Sequence, residues 1–188
     1  MSTNNNIIEK TSTQRISTQT MALIAVMTAV TCVLAPLSIP IGPVPISLTN
    51  LVIYFGLYIL DVKEEALSYF VYLLIGFVGL PVFSGFTGGA AKLLGPTGGY
   101  LIGFLPMLII AGIAINAFDG KIIPSVIGMI LGTAVCYVLG TIWFCISADY
   151  NMKAALAICV IPFLPGDAIK IMLAAIIGPQ LQKRLRKL

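Results

Sequence analysis

The sequence contains no histidine and very little charge, and these shortages exclude several classes of protein. Only 10% of the 188 residues are charged, whereas 59% are hydrophobic and the mean hydropathy is +1.03. A soluble domain of this length carries much more charge, so the composition indicates an integral membrane protein. Without histidine there is no hydrolytic triad, and the four cysteines lack the CxxC spacing of a metal site.

Motifs for nucleotides and nucleic acids are also missing from the sequence. No GxxxxGK[ST] pattern occurs, so the chain carries no recognisable ATP-binding P-loop. The net charge of +4 owes much to a basic cluster at 183–187 (KRLRK), which is typical of a topology signal beside the membrane. We therefore expect a non-catalytic chain without a metal or cofactor. We expect it to lie in the lipid bilayer and to bind no nucleic acid.

The apolar runs predict an all-α membrane protein, a compact bundle of six transmembrane helices with irregular outer loops. A polar cytoplasmic tail is predicted over 1–17. The remaining residues, 18–188, suit a single domain, because each span needs roughly 20 apolar residues. Two spans are predicted between 16 and 60, and the others at 66–79, 97–116, 122–146 and within 154–182. Cytoplasmic termini place eight Lys and Arg residues inside and two outside, as the positive-inside rule requires for a plasma-membrane protein.

Two connections between the predicted spans are irregular. Prolines interrupt the chain between 36 and 45, and the segment 80–96 is rich in glycine yet too apolar for an ordinary solvated loop. In the predicted topology both lie on the outer side, together with the start of the sixth helix. We therefore expect them to converge on one site, with the glycine-rich segment folded back over the bundle.

Asp167 and Lys170 are the charges that the last apolar run contains. The flanks at 154–166 and 171–182 contain no charged residue, and an ionisable pair in such a run marks a functional site by default. Residues three apart share a helix face, and Pro165 and Gly166 predict a break that leaves Asp167 in the first turn of a half-helix. The alternative is a pair whose members merely neutralise one another inside the bundle.

Two further features are candidates for contacts. The segment 95–100 (GPTGGY) opens the fourth predicted helix, with Thr97 as its cap. Backbone amides at Thr97 and Gly98 and the Tyr100 ring are suitable ligand-binding groups, although a tight helix start explains the glycines equally well. Ala25 and Ala29 give the first helix a flat face, which either packs within the bundle or docks onto another membrane protein.

Several stretches together carry a resemblance to a known family. They are 44–50 (VPISLTN), 80–83 (LPVF), 94–104 (LGPTGGYLIGF) and 165–170 (PGDAIK). The chain resembles the BioY family, the biotin-binding S components of energy-coupling factor (ECF) transporters. The resemblance implies a six-helix bundle that captures biotin from outside and works with a transmembrane coupling protein and two cytoplasmic ABC-type ATPases.

The resemblance also implies roles for particular residues. Asp167, Lys170 and Tyr100 fall where ligand contacts are expected, and the second helix supplies a polar partner at Asn50. Ala25 and Ala29 correspond to the face that contacts the coupling protein. Phe83 is a candidate, with Tyr100, for packing against the bicyclic ring of biotin.

The chemistry of the pair leaves two ligand poses and several functions open. The ureido ring offers N–H donors and a carbonyl acceptor to Asp167 and Lys170, whereas the valerate tail could instead take Lys170. An S component for another vitamin-like substrate is one alternative. A membrane enzyme using Asp167 as acid or base, and a scaffold without a ligand, are the others.

Overall fold

The computed structural model describes residues 17–185 and is predominantly helical, as predicted. Its helices are α1 (Thr18–Leu34), α2 (Thr49–Ile59), α3 (Val62–Val78), α4 (Ala90–Leu94), α5 (Gly98–Ala117), α6 (Ile122–Ala148), α7 (Met152–Cys159) and α8 (Leu164–Leu185). A short antiparallel ribbon, β1 (Ser38–Ile39) with β2 (Ile46–Ser47), lies in the proline-rich connection. Most of the predicted N-terminal tail and the last basic residues, Arg186 and Lys187, lie outside the described residues.

The described chain has eight helices where the sequence predicted six. Two short helices account for the difference: α4 forms inside the glycine-rich segment, and α7 is separated from α8 within the predicted sixth span. By length and apolar composition α5, α6 and α8 are able to cross a membrane, whereas α1 and α2 are shorter apolar helices. The protein is thus a helical multi-pass membrane protein.

Helix α3 begins at Val62, four residues before its predicted start. The backbone N–H of Asp61 donates to Glu64 Oε2 at 3.1 Å, which is half of the reciprocal arrangement called a capping box. The charged stretch predicted as a turn is therefore the first helical turn. An acidic residue followed three positions later by Glu, just before an apolar run, is the signal that predicts this start.

Glycines in α6 bring that helix against α5, as the small-residue stripe predicts. A Cβ placed on Gly128 would lie 2.3 Å from the Ala114 side chain, and one on Gly132 would lie 2.6 Å from the Met107 carbonyl oxygen. Contacts this close are available only to glycine. The stripe therefore packs within the bundle and fixes the position of α6 behind the site described below.

The two irregular connections meet, as expected. Gly85 in the glycine-rich segment donates its N–H to the Pro36 carbonyl in the proline-rich connection at 3.0 Å. Phe83 is completely buried, and the N–H of Gly89 reaches back to the Gly76 carbonyl of α3 at 2.7 Å. The glycine-rich segment is thus fastened over one end of the bundle.

Candidate ligand-binding site

The predicted break in the last span precedes Pro165. Helix α7 ends at Cys159 and α8 begins at Leu164, so Pro165 occupies the first turn of α8, where its missing N–H is not needed. The N–H of Asp167 donates to the Phe163 carbonyl at 2.8 Å. Asp167 therefore lies in the first turn of a new helix, as the sequence predicts.

Asp167 and Lys170 form a buried ion pair inside the bundle. Lys170 Nζ lies 3.0 Å from Asp167 Oδ1, and the two residues are only 8% and 7% exposed. Their i, i+3 spacing puts both side chains on the inward face of α8. The pair by itself has no net charge, which limits the cost of burying it.

Asn50, in the first turn of α2, binds both members of the pair. Its Nδ2 donates to Asp167 Oδ1 at 2.8 Å, and its Oδ1 accepts from Lys170 Nζ at 3.0 Å. Lys170 Nζ also donates to the Ser47 carbonyl at 2.7 Å, which the β1–β2 ribbon places at the start of α2. An ammonium has three N–H donors, so Lys170 is fully occupied by Ser47, Asn50 and Asp167.

Tyr137, which the sequence reasoning missed, closes the other side of the carboxylate. Its hydroxyl donates to Asp167 Oδ2 from α6. One turn earlier, Thr133 donates to the Met129 carbonyl at 2.7 Å and is hydrogen-bonded to the Tyr54 hydroxyl of α2. Thr133 and Tyr137, four residues apart on one face of an apolar helix, are the sequence signal for this polar face, although their spacing does not indicate which helix it meets.

These groups line a cavity of about 60 Å³. Of the predicted site residues, the ones that line it are Asn50, Thr97, Tyr100, Asp167 and Lys170. The Tyr100 hydroxyl lies 2.9 Å from Thr141 Oγ1, and the Tyr100 ring fills the space left by Gly140. Thr97 precedes α5, but its side chain does not form the predicted cap. The lining also includes residues that were not predicted, among them Ser84, Phe104, Met107 and Phe163.

Phe83 and Gly98 do not line the cavity. The Phe83 ring meets Tyr72 edge-on, with centroids 5.6 Å apart, and occupies the space beside Gly76. Gly98 is pressed against the backbone of Leu93, since an added Cβ would lie 1.7 Å from the Leu93 carbonyl oxygen. Both residues therefore shape the walls by packing. Ser84, next to Phe83, is the residue of the glycine-rich segment, the lid, that lines the cavity.

Ala25 and Ala29 are exposed on the outward face of α1. The opposite face packs on α3, where the Thr28 hydroxyl lies 3.1 Å from Ser68 Oγ. The alanine face is therefore unused by the part of the bundle that the structure describes.

A lid over a small cavity with buried polar groups, inside a helical membrane bundle, is typical of a membrane protein that binds a small molecule. Residues 8–187 match the model of the BioY family over nearly the whole length of the sequence. The chain belongs to the BioY family.

Individual relatives agree with this assignment. The chain is 38% identical over 165 residues to Biotin transporter BioY2 of Lactococcus lactis subsp. cremoris, covering 88% of this chain and 91% of the relative. It is 35% identical over 158 residues to Biotin transporter BioY of Thermotoga maritima, covering 84% and 92%. A crystal structure of the S-component for biotin from an ECF-type ABC transporter superposes with a TM-score of 0.81 at 34% identity, covering 88% and 91%.

Proposed function

We propose that the protein is the biotin-binding S component of an ECF-type uptake transporter. The observation that carries the proposal is the buried carboxylate of Asp167, held by Asn50, Tyr137 and Lys170 beside a cavity. The relatives are named as biotin transporters, and the solved relative as an S-component for biotin. The function therefore follows from a site of suitable chemistry in a family of that specificity.

The hydrogen bonds that the two charged groups already form within the protein favour one ligand pose. All three donors of Lys170 are engaged within the protein. Asp167 accepts three hydrogen bonds, whereas a carboxylate has about four lone-pair sites. Asp167 is thus the group that can accept a ureido N–H, at its remaining site or in place of one of these donors, and Lys170 acts by fixing the position of Asp167 and Asn50.

The chain supplies binding, and its partners supply energy. Because the sequence has no P-loop, we assign ATP hydrolysis to two separate cytoplasmic ABC-type ATPases, reached through a transmembrane coupling protein. The exposed face with Ala25 and Ala29 is the docking surface for that coupling protein. Helices α5, α6 and α8 are long and apolar enough to cross the plasma membrane, and α1, α2 and α3 complete a six-helix bundle, with both termini cytoplasmic and the glycine-rich segment outside.

Equilibrium binding to the purified chain in detergent tests this function directly. Isothermal titration with biotin should show saturable binding of one ligand per chain, and thiamine and riboflavin should show none. Gel filtration and thermal unfolding of the same sample establish that it is folded. A folded sample without saturable biotin binding would overturn the proposal, and binding of one of the other vitamins instead would reassign the substrate.

A further inference from the structure

A second space lies directly behind the candidate site, on the outward side of α6 and α8. This groove has a volume of about 280 Å³ and an almost wholly apolar lining. Its rim includes Ile130 of α6 and Leu164 and Met172 of α8, which are all about half exposed. Between them the small, exposed side chains of Ala134 and Ala168 leave the groove open.

One layer of side chains separates this groove from the cavity. Thr133, Tyr137 and Asp167 line both spaces, whereas Ala134 lines only the groove. The hydrogen bond from the Tyr137 hydroxyl to Asp167 Oδ2 closes the layer. Tyr137 is therefore the partition between the cavity and the apolar groove.

The cavity, with its walls in their present positions, is too small for a vitamin-sized ligand. About 60 Å³ corresponds to about two water molecules, at roughly 30 Å³ of liquid volume for each. Pockets for small-molecule ligands typically measure about 300–1,000 Å³. Binding therefore requires that part of the wall move.

The groove between α6 and α8 has room for the Tyr137 ring. In a helix a long side chain covers the residues three and four positions before it, and two rotamers about χ1 are allowed. For Tyr137 these positions are Ala134, which faces the groove, and Thr133, which also faces the cavity. An apolar cavity of about 150 Å³ accommodates benzene, so the groove accommodates the phenol ring.

We propose that Tyr137 is a displaceable wall of the ligand site, whose ring moves over Ala134 into the α6–α8 groove when an N–H donor of the ligand replaces its hydroxyl at Asp167 Oδ2. Asp167 exchanges one hydrogen bond for another, whereas the Tyr137 hydroxyl gives up its acceptor, a cost that the contacts of the bound ligand must offset. The ring stays in apolar surroundings, and the volume that it vacates becomes available to the ligand. This inference rests on the proposed function and adds to it a residue that controls which ligands fit.

Filling the groove tests the displacement. Ala134→Leu places a larger side chain where the ring must move, and we expect it to weaken biotin binding at least tenfold. The matched control is Ala157→Leu, at an exposed alanine of α7, which should bind like the unmodified protein. In a Tyr137→Ala background, where no ring has to move, Ala134→Leu should change the dissociation constant less than threefold.

A second variant tests the exchange of donors. Tyr137→Phe removes the competitor for Asp167 and keeps the ring, so we expect biotin to bind about two- to tenfold more tightly. A role in which the hydroxyl contacts the ligand or orients Asp167 predicts weaker binding instead. Weaker binding by Tyr137→Phe would overturn the proposal.

The remaining outcomes also separate the possibilities. If Ala134→Leu binds as the unmodified protein does, or loses the same factor with and without the Tyr137 ring, the displacement does not occur. If that variant fails to fold by gel filtration, Ala168→Leu on the opposite wall provides the same test. Absence of biotin binding by the unmodified protein would overturn the proposed function together with this inference, whereas normal binding with an inert groove would overturn the inference alone.

Discussion

Replacement of Asp167 by Asn separates ligand binding from the structural use of the ion pair. The carboxylate accepts from Asn50 and Lys170 at Oδ1 and from Tyr137 at Oδ2. An amide of the same shape has one acceptor oxygen, and its NH₂ group is a donor. Whichever way the amide is oriented, at least one surrounding donor loses its acceptor, and the ligand N–H no longer meets a negative charge.

The expected magnitudes follow from these contacts. A hydrogen bond to a charged group contributes about 1.5–3 kcal/mol, so the loss of the contact to the ligand should weaken biotin binding about 10- to 100-fold. Removing one member of a buried ion pair costs about 3–5 kcal/mol of folding free energy. That figure is an upper bound here, since Lys170 keeps its bonds to the Ser47 carbonyl and Asn50.

Titration calorimetry and thermal unfolding in the same detergent measure the two effects on Asp167→Asn. Asp149→Asn is the matched control, because Asp149 is exposed at the end of α6 and its positive φ of 52° suits Asn as well as Asp. A double variant, Asp167→Asn with Lys170→Gln, has no unpaired buried charge and should regain stability without regaining affinity. Unchanged affinity in Asp167→Asn, with reduced stability, would show that the pair is purely structural.

Two other predictions concern the cavity wall and the docking face. Gly140→Ala places a Cβ 2.3 Å from the Tyr100 ring and should push that ring from its position, weakening biotin binding several-fold; calorimetry checks this against Gly166→Ala, where an added Cβ meets open space. Equal affinities in the two variants would remove Tyr100 from the site. Ala25→Trp on the exposed face of α1 should preserve biotin binding in detergent while abolishing ATP-dependent uptake by the assembled transporter. Uptake at the normal rate, measured with radiolabelled biotin in proteoliposomes, would exclude docking at this face.

Charge in an apolar environment explains why much of the site was predictable from the sequence. Asp167 and Lys170 are costly in hydrocarbon unless they face a partner or a cavity, so their presence alone predicts an inward-facing polar site. Pro165 and Gly166 likewise predict a helix break, because proline and glycine act through the backbone. These inferences need no knowledge of which helices are neighbours.

The position of aromatic side chains was less predictable. Phe83 and Tyr137 both occur in apolar segments, where an aromatic ring fits a core, a lid or a ligand site equally well. The space beside Gly76 draws the Phe83 ring into the core and leaves Ser84 to face the cavity. The packing of α6 beside α8 brings Tyr137 to Asp167, and nothing in the local sequence of either helix specifies that contact.

The two charged residues divide the work of the site between them. Lys170 uses all three of its donors on the protein, so it binds the start of α2 to α8 and holds the carboxylate at a fixed position. Asp167 keeps acceptor capacity, and one of its hydrogen bonds comes from a tyrosine that borders an open groove. A ligand with an N–H donor can therefore exchange with the tyrosine hydroxyl at that position without separating the ion pair. The charges are thus balanced within the protein, and the proposed exchange would add the volume beside the tyrosine to the ligand site.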